Sequence, residues 1–141
     1  MRLAYFIFFF LFISCNNDQE WKYLFNGENL DGWEIKIREH KIGENFKNTF
    51  KVDNGAIKVS YEEYDEFDKK FGHIFYVKEK FKNYHLSLDY KFSGSHLKGA
   101  PGWSVKNSGI MLHCQDPHTM LVDQEFPVSS EAQLLGGLGE G

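Results

Sequence analysis

Cysteine and proline are scarce in this chain. Of its 141 residues, two are cysteine and three are proline. Two cysteines, Cys15 and Cys114, cannot build the multi-bridge framework that stabilises small secreted scaffolds. Basic clusters are missing as well. The formal net charge is −4, and no run of Lys or Arg offers an electrostatic footprint for nucleic acid. Helical periodicity is hard to find. Only Tyr61 to Lys70, rich in Glu and Asp, has the composition of a short helix, and it reads better as a solvated loop. No internal repeat is present, and the length favours one domain.

What is present begins with an apolar run. Arg2 supplies a short positive start, and Leu3 to Ile13 is unbroken and phenylalanine-rich. The run is too short for a mature transmembrane helix and reads as a secretion signal. Its end, Leu11-Phe12-Ile13-Ser14-Cys15, resembles a bacterial lipoprotein signal, with Phe12 where leucine is usual. The resemblance implies cleavage before Cys15 and lipid on its thiol. It also implies a lipid-anchored protein of the bacterial cell envelope, periplasmic or at the outer-membrane surface, with the membrane as a partner. The expected organisation is a signal peptide over 1–14, a polar tether over 15–20 and one domain over 21–141. With Cys15 lipidated, Cys114 has no disulfide partner and is expected on the core face as a small hydrophobe.

The mature part is aromatic and strand-like. Phe50-Lys51-Val52, then Asp53-Asn54-Gly55, then Ala56 to Val59 is a hairpin signature, because Asn-Gly suits the positive φ angles of a tight turn. Gly72 to Val77 reads as another strand. Tyr84 to Phe92 alternates most clearly, with Tyr84, Leu86, Leu88, Tyr90 and Phe92 on one face and His85, Ser87, Asp89 and Lys91 on the other. Gln115 to Ser130 is a long polar connection. Short strands separated by turn residues argue for an all-β, antiparallel β-sandwich. Leu86, Leu88, Tyr90, Ile110, Leu112 and Leu134 are expected to share its core. The chain closes on Gly136-Gly137-Leu138-Gly139-Glu140-Gly141, a glycine loop after a buried strand, so the sandwich is expected to be incomplete here.

The richest chemistry lies on two alternating stretches, Asn107 to His113 and Glu131 to Leu135. Period-two alternation puts Ile110, Leu112 and Cys114 on one face of the first and Ala132 and Leu134 on one face of the second. Met111, His113 and Gln115 then point the other way, as do Glu131, Gln133 and Leu135. An imidazole, a carboxylate and two amides gathered on an open sheet face suit the binding or processing of a sugar. His113-Cys114-Gln115-Asp116-Pro117-His118 also invites a metal reading, but its spacing matches no standard zinc pattern.

Five blocks carry a family resemblance. Trp21 to Trp33, containing Leu24-Phe25-Asn26-Gly27, is similar to the opening "LFNGKDLxGW" of the 3-keto-disaccharide hydrolase domain. Phe50 to Ile57 resembles its "WxVxDGxI", and Phe81 to Tyr90 its "YxDFxLxLEY". Asn107-Ser108-Gly109-Ile110 matches "NSGI", and Glu131-Ala132-Gln133-Leu134-Leu135 matches "ExQxL". The blocks occur in family order. The resemblance implies a concanavalin-like jelly roll acting on glycosides oxidised at C3. It also implies later strands, with a "GxWN" and an "NG" region, that this chain does not contain. The arginine often seen after "NSGI" is replaced by Met111-Leu112-His113.

A C3 ketone acidifies the proton on C2. A base removes it, the C1 substituent leaves by elimination, and water adds to the double bond. This needs a base near C2, an acid near the leaving oxygen and a group that holds the enolate. Glu131 and His113 are the expected catalytic residues. Gln133, Asn107, Asp89, Lys91 and Trp103 are the expected substrate contacts, with the enolate held by an amide, by Lys91 or by a divalent metal. No cofactor is required by the sequence, and a metal stays open. Each residue also has a duller explanation. Glu131 and His113 suit a solvated strand, Asp89 and Lys91 a surface pair, Asn107 a turn, and Trp103 a core. The rival functions are a non-catalytic carbohydrate-binding module and an inactive fragment.

Overall fold

The computed structural model describes residues 20–137. The signal segment, Cys15 with its expected lipid and nearly all of the tether lie outside the described residues, as does the end of the glycine-rich terminus. Among the described residues no helix is long and apolar enough to cross a membrane.

The regular structure is β throughout, apart from three single 3-10 turns. The strands are β1 (Trp33–Ile37), β2 (Phe50–Asp53), β3 (Ala56–Val59), β4 (Gly72–Tyr76), β5 (Asn107–Leu112) and β6 (Ser130–Leu135). All pairing is antiparallel, in three two-stranded ladders: β1 with β4, β2 with β3, and β5 with β6. The chain is therefore all-β and antiparallel, consistent with a β-sandwich, and the three ladders stay separate rather than merging into two continuous sheets. The β2–β3 turn forms for the reason its sequence suggests. Asn54 and Gly55 both take positive φ, 50° and 75°, as a two-residue hairpin loop requires.

The core sits between β1–β4 and β2–β3. Ile35, Ile37 and Phe50 are buried together, packed against Leu30, Phe46, Ile57 and Ile74. Gly72 lets the Phe50 ring lie close, since a β-carbon there would stand 3.2 Å from it. Burying each such side chain contributes about 1.5–3 kcal/mol. The opposite face of β1–β4 carries Glu34, Lys36, His73 and Phe75. It is covered by the connection between β5 and β6. The Lys36 ammonium, on a side chain only 2% exposed, donates to Val122 O and Ile37 O, both at 2.9 Å. His73 Nε2 donates to Glu125 O at 2.8 Å. The Arg38 guanidinium reaches Asp123 O at 3.2 Å. Pro117, Met120 and Pro127 of this connection are buried, so it is a packed strap and not the merely polar link its composition suggests.

Two further expectations are corrected. Tyr61 to Lys70 is a loop, as expected, but it is not simply solvated. Tyr64 and Phe67 are buried, Tyr64 OH meets Thr49 Oγ1 at 2.5 Å, and Lys70 pairs with Glu39 and Asp68. The larger correction concerns Tyr84 to Phe92. This segment makes no ladder, and among the described residues none of its backbone groups is hydrogen-bonded. Leu86, Leu88 and Tyr90 are 44%, 48% and 54% exposed. The Tyr84 ring contacts His113 at one end, and Phe92 lies against Gly136 at the other. The segment thus runs beside β5, in the opposite direction, without bonding to it. Ile110, Leu112 and Leu134 are only half-buried. The expected six-residue core does not assemble, because alternation selects a face but supplies nothing to cover it.

Candidate active site

The β5–β6 register settles which side chains share a face. Asn107 stands opposite Leu135, Gly109 opposite Gln133 and Met111 opposite Glu131. Directly opposed residues of an antiparallel pair project to the same side. Glu131, Gln133 and Asn107 therefore lie on one face, while Ile110, Leu112, Ala132 and Leu134 lie on the other.

Gly109 shapes this face. A β-carbon at Gly109 would fall 2.0 Å from Glu131 Oε1 and 2.6 Å from its Cδ. The Glu131 side chain thus leans diagonally across the ladder into the space the glycine leaves, beside Gln133. A glycine inside a strand often marks such a close approach. Asn107 and Gln133 are joined directly, Gln133 Nε2 donating to Asn107 Oδ1 at 2.5 Å. Asn107 Nδ2 in turn donates to Trp103 O at 2.8 Å.

Trp103 sits on the 3-10 turn Gly102–Ser104. Ser104 Oγ donates to Pro101 O at 2.7 Å, and His96 Nε2 lies 3.2 Å from both oxygens. The indole is 59% exposed and parallel to Phe71, with centroids 5.9 Å apart. Phe71 continues into Phe126 at 4.8 Å, and Phe126 into His73 at 5.5 Å. Trp103 is therefore the exposed end of an aromatic row. The composition of the chain advertises aromatics without indicating that Phe71 and Phe126 would back this one.

His113 does not join the face expected of it. β5 ends at Leu112, and His113 takes a left-handed φ of 49°, which breaks the alternation. Its ring lies 5.8 Å from the Tyr84 ring. It lines an open hollow of about 410 Å³ with Lys82, Asn83, Tyr84, His85 and Leu112. The Glu131 carboxylate lies over Gly109, back along β5 from the strand end that precedes His113. Cys114, past the strand end, is half-buried, and burial pushes its thiol pKa up, which suits a small packed side chain better than a nucleophile. Asp89 and Lys91 are exposed on the unpaired segment and make no ion pair or hydrogen bond to a described residue. Asp116 and His118 belong to the strap. The Asp116 carboxyl is held below its usual range, first by the His118 backbone N–H that it accepts. Among the described residues no three His, Cys, Asp or Glu side chains come together as a metal site.

A family model for the 3-keto-alpha-glucoside-1,2-lyase-like domain matches residues 20–140. The chain belongs to that family. Membership in the 3-keto-alpha-glucoside-1,2-lyase-like family supports a glycoside-processing activity and carbohydrate as the ligand class. No curated protein and no solved structure matches the chain. Two of the five blocks that resemble the family, those of β5 and β6, build this face of the lyase-like domain.

Proposed function

We propose that the chain cleaves 3-keto-glycosides by abstracting the C2 proton, with Glu131 as the base. The observation that carries this is the seating of the Glu131 carboxylate over Gly109, beside the Gln133 amide on the same face. Neighbouring groups on one face match neighbouring carbons of the substrate. Glu131 takes the proton from C2 while an N–H of Gln133 meets the oxygen on C3, where negative charge develops. The C1–O bond then breaks. The leaving oxygen takes a proton from water and Glu131 returns its own proton to solvent, because in an α-glucoside the C2 hydrogen and the leaving oxygen lie on opposite faces of the ring. Water adding to the enone completes hydrolysis, and release before that step gives a lyase. The Trp103 indole offers a flat apolar surface for a sugar ring. His113, past the end of β5 and beside the Tyr84 ring, is given no part in this proton path.

Glu131→Gln should lower turnover of methyl 3-keto-α-glucoside by about 10²–10⁴-fold, with exchange of the C2 hydrogen in deuterated water lost in parallel. Unaltered turnover removes Glu131 from the chemistry. A second reading is non-catalytic carbohydrate binding, favoured by the exposure of Trp103 on an open face. Retention of intact glycans by a chain that turns over no 3-keto-glycoside would establish it.

A further inference from the structure

Asn107 looks like a substrate contact in the sequence, yet both ends of its amide are engaged within the protein. A backbone carbonyl only accepts, so the group facing Trp103 O, 2.8 Å away, is the Asn107 NH2. The opposite atom, Oδ1, must then accept. Gln133 can only answer with its own NH2, at 2.5 Å. The chain of bonds therefore fixes the amide of Gln133 in one of its two orientations. The far end of the chain is itself anchored, since the Trp103 turn is closed by Ser104 and His96 and its ring is stacked on Phe71.

We infer that Asn107 is a positioning residue, which orients the Gln133 amide so that its second N–H faces the reacting sugar. The inference rests on the function proposed above. Gln133 has two amide hydrogens. One is held by Asn107, and the other is left for the enolate oxygen. Without Asn107 the amide can rotate by half a turn and present its oxygen, an acceptor, to developing negative charge. The damage falls on the transition state, because only there is the charge present. Asn107 thus influences rate more than binding, through a residue on the neighbouring strand.

The test uses Asn107→Ala, Gln133→Ala and the double variant in the whole chain, with methyl 3-keto-α-glucoside as probe. Asn107→Ala is expected to lower kcat by about tenfold, the worth of a hydrogen bond to a charged group, with KM changed less than about threefold. The double variant should be no slower than Gln133→Ala alone, because Asn107 then has nothing left to orient. Losses that multiply in the double variant, or a loss confined to KM, overturn the inference. A substrate-free measurement guards against misfolded variants. In nitrogen–proton spectra, the Gln133 side-chain amide protons should exchange with water faster in Asn107→Ala than in the parent chain. Unchanged exchange disproves the relay. Accelerated exchange in a chain that never turns over the probe leaves the relay standing and removes both the proposed function and any role of Asn107 toward an enolate.

Discussion

The β1–β4 ladder and the β5–β6 ladder are similar in size and pairing, but they differ in what lies over them. The first is covered on both faces, by Phe50 and its neighbours on one side and by the strap on the other. The second displays an amide-and-carboxylate row on one face and half-buried aliphatics on the other, with the Tyr84 to Phe92 segment alongside but unbonded. Stability and chemistry are thereby divided. Covered strands bury apolar area, and open strands leave polar groups free for a ligand.

The comparison can be broken most easily by truncating equivalent aliphatic side chains. Ile37→Ala, at a fully buried position, should cost about 2–5 kcal/mol. Leu88→Ala on the unbonded segment should stay within about 0.5 kcal/mol. Urea unfolding measures both, and equal losses would show that the two regions are packed alike. A smaller effect tests the strap. Lys36→Ala removes the ammonium that donates to both Ile37 O and Val122 O, the latter keeping only the Glu39 N–H, and should cost about 1.5–3 kcal/mol. Lys58→Met on exposed β3 should cost about 0.5 kcal/mol or less. If the two lysines behave alike, the strap contributes little.

The smallest effect is one of pH. Burial beneath the strap holds the His73 pKa below the ordinary histidine value, and the Lys36 charge adds to this. The groups facing His73 are Lys36 from β1, Phe75 from its own strand, and Glu125 O and Phe126 from the strap. Unfolding frees the imidazole to take up a proton at its ordinary pKa. Between the lowered folded value and the ordinary one, the unfolded state binds more protons, so stability falls as pH drops through that window. His73→Gln keeps a donor for Glu125 O and should remove this part of the pH dependence, read by urea midpoints at pH 7 and pH 5. An unchanged slope would assign the acid sensitivity to carboxylates alone.

Local signals were legible where they were self-sufficient. Asn54-Gly55 specifies its turn without help, and the alternation of Asn107 to Leu112 and Glu131 to Leu135 assigned each side chain to the face on which the register places it. The core was harder to read. Trp33-Glu34-Ile35-Lys36-Ile37 alternates as well as any segment, but its value comes from Phe50 and Val122, which are distant in sequence. Tyr84 to Phe92 shows the converse, since strong alternation without partners gives exposed leucines. At the candidate site, Glu131, Gln133 and Asn107 were readable from strand parity. His113 was not, because one positive φ ends the strand and no residue type announces it. Gly109 was visible as part of a motif, but its purpose appears only once Glu131 is seen to occupy its space.

The lysine under the strap also acts as a key for strand alignment. In an antiparallel ladder, a slip of one residue exchanges the two faces of the moving strand. If β1 slipped against β4, Ile35 or Ile37 would come to lie beneath the strap, and the Lys36 ammonium would turn toward Phe50, Ile57 and Ile74. An unpaired charge among those apolar side chains is heavily penalised. The aliphatic residues favour several roughly equivalent alignments, whereas Val122 O accepts from Lys36 in only one. A single cation thus distinguishes the correct pairing from its nearest competitors, a selectivity that hydrophobic burial alone, being non-directional, does not provide.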